Sequence, residues 1–125
     1  MTIQECYQRL GGDYAEVEKR LLNVKLVTKF ITKFLDDDSF KQLCCEIQAG
    51  NRAEAFRMAH TLKGVCQNLG LKNLYISVEK LTEVLRSEAE EIPENAEALL
   101  KEVANDYAEA VITIRVYLAE AGQQA

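Results

Sequence analysis

His60, Lys63, Gly64 and Gln67 fall at i, i+3, i+4 and i+7 of the run Ala59-His60-Thr61-Leu62-Lys63-Gly64-Val65-Cys66-Gln67-Asn68-Leu69-Gly70. At about 100° per residue these positions share one stripe of an α-helix. The stripe offers an imidazole, a cation, a vacancy where a side chain would stand, and an amide. Free imidazole, with a pKa of about 6.5, is largely neutral and nucleophilic near pH 7, which makes it a capable phosphoryl acceptor. Lys63 can set a point charge beside such a group. A mid-helix glycine costs about 1 kcal/mol relative to alanine, and Gly64 sits where a side chain would cover the ring and keep another backbone away. Gln67 is placed either to donate to phosphoryl oxygens or to orient the imidazole.

Opposite His60 on the helical wheel lie Met58, Leu62, Val65 and Leu69, with Ala55, Ala59 and Cys66 alongside. That apolar stripe is the expected core face, so His60 is expected to point away from the core. Ala53, Phe56 and Arg57 share the His60 side and are the candidate partner contacts. Phe56 reads equally as part of the seam with the preceding helix or as an apolar contact that restrains the ring. Arg52 and Arg57 make this face locally basic, which suits an acidic partner surface. The chain contains no G-x-x-x-x-G-K-[ST] loop for nucleotide phosphates. Gly11-Gly12 reads as a helix break, and Asp36-Asp37-Asp38 carries no other sign of a metal site.

The elements that must carry this stripe all read with a helical period, and no run alternates as a half-buried strand does. Thr2-x-x-Glu5 and Asp13-x-x-Glu16 have capping-box form and open two short helices. Asn23 is placed to cap a third, marked by Val24, Val27, Ile31, Phe34 and Leu35. The acidic run at 36–38 suits the start of the next, with Phe40, Leu43, Cys44 and Ile47, which stops at Gly50. Asn51-x-x-Glu54 then opens the His60 helix and Gly70 closes it. Leu71, Leu74, Val78, Leu81 and Leu85 mark another helix. Pro93 suits the first turn of the last one, which carries Ala96, Leu99, Val103, Tyr107, Val111, Ile114 and Leu118 and runs roughly 28 residues, or about 42 Å. The expectation is one all-α domain: short N-terminal helices over 2–22, an antiparallel helical bundle over 23–121, and a frayed tail at 122–125.

Composition agrees with an ordinary folded domain: 125 residues, 48% hydrophobic, 28% charged, net charge −5. The acidic balance with mixed signs speaks against nucleic acid or an anionic membrane as the main partner. No signal peptide is visible at Met1-Thr2-Ile3-Gln4-Glu5, and no stretch is apolar enough to span a bilayer, so a cytoplasmic chain is expected. Cys6, Cys44, Cys45 and Cys66 form no C-x-x-C pair. A zinc site built from three of them with His60 can be drawn, but its spacing is unlike closed sites. The expected role is that of small apolar residues in a reducing compartment.

Ala59-His60-Thr61-Leu62-Lys63-Gly64, followed by Leu69-Gly70, closely resembles the signature of histidine-containing phosphotransfer (HPt) domains, the four-helix-bundle intermediates of two-component phosphorelays. Length, helical order and the central histidine helix extend the resemblance. It implies that His60 accepts a phosphoryl group through Nε2, that Lys63 stabilises it and that Gly64 gives steric access. Gln67 matches a frequently polar position. The implied partners are receiver domains of response regulators or hybrid histidine kinases, which bring their own aspartate, Mg²⁺ and lysine. No cofactor or metal is implied on this chain, which would be a carrier rather than an enzyme, and a monomer. Val65-Cys66-Gln67-Asn68 resembles bacterial free-standing members more than plant and yeast ones. Two further readings stand beside this one: a module of the same fold that sequesters a receiver without taking phosphate, and a thiol- or metal-based sensor using Cys44, Cys45 and Cys66.

Overall fold

Capping residues and glycines set the helix boundaries. A computed structural model of the chain describes residues 1–88 and 90–124, and these form helices α1 (Ile3–Arg9), α2 (Tyr14–Leu21), α3 (Val24–Phe34), α4 (Ser39–Gln48), α5 (Arg52–Leu69), α6 (Lys72–Leu85) and α7 (Ala96–Gln124). No strand occurs among the described residues. At Thr2 the capping box is complete, with the Thr2 hydroxyl accepting from the Glu5 N–H at 3.0 Å and Glu5 accepting from the Thr2 N–H at 3.2 Å. Asn23 accepts from the Leu26 N–H at 2.9 Å and opens α3.

Several local expectations need correction. Asp13 caps α2 by accepting from Ala15 at 2.9 Å, in place of a reciprocal box with Glu16. Asn51 makes no side-chain cap to α5. Its amide turns back to the Glu46 carboxylate at 2.8 Å, while Glu54 pairs with Arg57. Pro93 precedes the last helix: its carbonyl accepts from the Ala96 N–H at 3.1 Å in a turn that leads into α7. α7 extends to Gln124, so the tail expected at 122–125 begins as helix, and Ala125 lies outside the described residues. Contacts just upstream hold the last turns, since Ala121 packs on the core and Glu120 pairs with the Met1 amine.

α5 packs against both α4 and α6, and α6 in turn packs against α7. α3 touches α5 and α7, while α1 and α2 join the assembly through α7 and α3. Buried Ala55, Ala59, Leu62, Cys66 and Leu69 form the inner face of α5, meeting Leu74, Val78, Leu81 and Leu85 of α6. Met58 and Val65, placed at the centre of the stripe by the wheel, lie half-buried at its margin. Val24, read as an apolar face residue of α3, is 43% exposed. Aromatic rings join the outer elements: Phe40 stacks on Tyr107 at 4.3 Å between centroids, and Phe34 meets the same ring at 5.8 Å.

The C-terminus of α5 is the most tightly fixed helix end. Gly70 adopts φ +67°, a region open to glycine at little cost. The Leu71 N–H then bonds back to the Cys66 carbonyl at 3.0 Å, closing a Schellman turn. A Cβ on Gly70 would strike Val17 of α2. Tyr7 of α1, fully buried, donates its hydroxyl to the Leu69 carbonyl at 2.7 Å. Helices α1 and α2 thus brace the end of the helix that bears His60.

Candidate functional site

α5 runs 18 residues, about 27 Å, and its buried alanines let α4 and α6 approach on either side. With that inner face occupied, the remaining face is forced outward. His60 is exposed, as are Ala53, Arg57 and Gln67, while Lys63 and Gly64 are half-buried beside them. The stripe expected from spacing is therefore a real surface stripe. A Cβ built on Gly64 meets nothing within 4 Å, so the glycine leaves open space beside the histidine rather than relieving an internal clash. Packing thus gives no reason for a glycine at this position.

The His60 ring has an aromatic neighbour. Phe56, one turn earlier, stacks on it with centroids 6.0 Å apart and planes 27° from parallel. Phe56 is also half-buried and packs on the core cluster, so it belongs to the seam and to the histidine face at once. Over the Phe56 ring, 5.0 Å from its centroid, lies the Arg86 guanidinium. Arg86 follows the last residue of α6 and hydrogen-bonds Glu83 at 3.2 Å. Sequence patterning passes over this residue. A basic side chain at a helix C-terminus has an ordinary explanation in the helix dipole, and its reach to α5 is a tertiary fact.

The basic face expected from Arg52 and Arg57 is reduced by local partners. Arg52 crosses to α6 and donates to the Leu85 carbonyl at 2.7 Å. Arg57 makes two hydrogen bonds to one Glu54 oxygen, at 3.1 and 2.7 Å, although its side chain stays 67% exposed. Lys63 makes no hydrogen bond or ion pair among the described residues. Gln67 lies beyond it, on the rim of a cavity of about 280 Å³ that also takes in Arg20, Lys72 and Tyr75.

The cysteines do not converge on this site. Cys66 is buried in the core, Cys6 is buried under α1, Cys44 is half-buried and Cys45 is exposed on α4. Burial pushes the Cys66 thiol up to about 12 and the Cys6 thiol up to about 11, holding both as neutral thiols at neutral pH. Among the described residues no group of three His, Cys, Asp or Glu side chains is arranged to hold a metal ion, and no helix is long and apolar enough to cross a membrane.

What the arrangement can do chemically follows from its exposure. An imidazole standing on the surface, with a cation on one side and space on the other, can take a group from a donor that arrives on a second macromolecule. A family model described as Hpt domain matches residues 25–111, from the first turn of α3 to within α7, leaving α1 and α2 outside the match. Searches of curated proteins and of solved structures found no match.

Proposed function

Because the chain belongs to the Hpt domain family, whose members are phosphocarrier modules of two-component signalling that interact with receiver domains, we propose that it is a phosphorelay intermediate that accepts a phosphoryl group on His60. The observation that carries this reading is the exposed His60 ring set between a half-buried, unpaired Lys63 and the open space at Gly64. The donor is a receiver-domain aspartyl phosphate. The Nε2 lone pair of His60 attacks phosphorus, an N–P bond forms, and the P–O bond to the aspartate breaks with the carboxylate as leaving group. The same step in reverse passes the group to another receiver.

In this reading Phe56 limits the ring to one plane, which reduces the reorientation needed before attack. Lys63 offsets the phosphoryl charge, and its flexible ammonium suits a group that must also leave. Gln67 adds a polar contact to the phosphoryl group or the ring. Ala53, Phe56 and Arg57 meet the receiver, and the exposed Arg57 can exchange Glu54 for a receiver carboxylate at small cost, because a surface ion pair is worth about 0–1 kcal/mol. The receiver supplies the aspartate, the divalent cation and the lysine. The bundle helices run antiparallel, and the protein works in the cytoplasm as a monomer.

The deciding experiment charges a panel of receivers with acetyl phosphate and incubates each with this protein. Acid-labile, alkali-stable phosphate on the wild type, absent from His60→Gln, is the expected result. No transfer from any receiver, or transfer to His60→Gln, would overturn the reading. Receiver binding that survives His60→Ala without transfer would instead identify a sequestering module.

A further inference from the structure

The α5–α6 crossing holds two arginines that reach in opposite directions. Arg52 of α5 donates to the Leu85 carbonyl at the end of α6, at 2.7 Å. Arg86, the next residue along α6, reaches back over the Phe56 ring of α5, its guanidinium 5.0 Å from the centroid. Phe56 uses its surroundings on two sides: Arg86 stands over the ring at 5.0 Å, and His60 stacks with it at 6.0 Å. Glu83, one turn back on α6, holds the guanidinium by a 3.2 Å hydrogen bond. The chain of contacts Glu83–Arg86–Phe56–His60 links the end of one helix to the reactive ring on the next.

We infer that Arg86 is a positioning residue for His60, acting through the face of Phe56. A guanidinium over an aromatic face is attracted by the ring quadrupole. Phe56 is half-buried, with its inner edge packed on the core cluster, and a contact on its outward part further restrains turning about χ1 and χ2, which keeps the imidazole supported. Arg86 supplies that contact from an element that moves with α6 rather than α5. The orientation of the imidazole therefore depends on the register of the α5–α6 pair, which the Arg52 bond to Leu85 also fixes. Arg86 does not touch the phosphoryl group in this scheme. Its contribution is to the fraction of time His60 spends in one plane. The inference rests on the relay reading for its kinetic consequence, and on the observed contacts alone for its structural one.

Because His60 is the only histidine, its ring protons give unambiguous NMR resonances, and phosphoramidate serves as a small phosphodonor that needs no partner docking. In the wild type the ring resonances should be displaced by the Phe56 ring current. Arg86→Ala should move them toward free-histidine values and slow phosphorylation by phosphoramidate about two- to fivefold, the range of an exposed cation–π contact. Arg86→Lys, which keeps a cation, should restore most of both. In a Phe56→Leu background Arg86→Ala should add nothing, as a shared path requires. The inference is overturned if Arg86→Ala leaves the resonances in place, or if its effect persists undiminished without Phe56. Should the wild type take phosphate from neither phosphoramidate nor any receiver, the relay reading fails, and the resonance shifts still decide the role of Arg86.

Discussion

Tyr7 and Leu69, 62 residues apart in sequence, are joined by a buried hydrogen bond in which the Tyr7 hydroxyl donates to the Leu69 carbonyl at 2.7 Å. The carbonyl is one of those a helix leaves without an internal partner at its C-terminus. A side chain from the first helix thus completes the helix that carries His60. Tyr7→Phe removes the donor and leaves that carbonyl buried without a partner. It should cost about 1–3 kcal/mol in urea denaturation while phosphotransfer at His60 persists in the folded fraction.

Gly64 separates stability from function. Since a Cβ there meets only open space, Gly64→Ala should raise the free energy of unfolding by about 1 kcal/mol. Gly64→Gln should be folded and no less stable than the wild type, yet slow phosphotransfer from a receiver sharply, because its side chain rises beside the imidazole. Equal losses of stability and transfer in the glutamine variant would show that the glycine serves the helix rather than access.

Lys63 has no partner to lose among the described residues, so Lys63→Gln should shift stability by no more than about 0.5 kcal/mol. Transfer to His60 should fall about tenfold, the scale of one charge-assisted contact. Lys63→Arg should recover part of the rate. Stopped-time assays with a phosphorylated receiver measure both.

The buried thiols predict an alkaline limit. Burial raises the Cys66 thiol from 9.0 to about 12 in the folded protein. The unfolded chain therefore ionises first, so this contribution is complete below pH 9 and is lost as pH rises toward 12. Urea midpoints measured from pH 8 to 10.5 should fall, with a shallower slope in Cys66→Ala. At pH 8 iodoacetamide should modify exposed Cys45 first and leave Cys66 and Cys6 unreacted until the protein unfolds.

Local signals made much of the structure legible in advance. The Thr2–Glu5 box and the Asn23 cap involve residues three apart, and they form as patterned. The outward setting of His60 follows from a period that packing on α4 and α6 enforces. Asn51 escaped the same reasoning because Glu46, in the preceding helix, competes for its amide. Phe56 carried two readings, and its ring lies both at the seam and beside His60 because a half-buried ring has an inner edge and an outer face. Arg86 and the Arg52–Leu85 bond were invisible, as each depends on how two helices cross rather than on spacing along either one.

The open space at Gly64 has a dynamic consequence. Without a side chain to shield it, the half-buried backbone at Gly64 is open to water on its outer side, and glycine gains more freedom on opening than any other residue. Within the interior of α5, the turn with the lowest opening free energy should therefore be the one under His60, upstream of the end clamped by Tyr7 and Gly70. Among the amides hydrogen-bonded within α5, exchange should be fastest there, and Gly64→Ala should slow it. The turn that carries the open space at Gly64 would then also be the place where its own helix breathes.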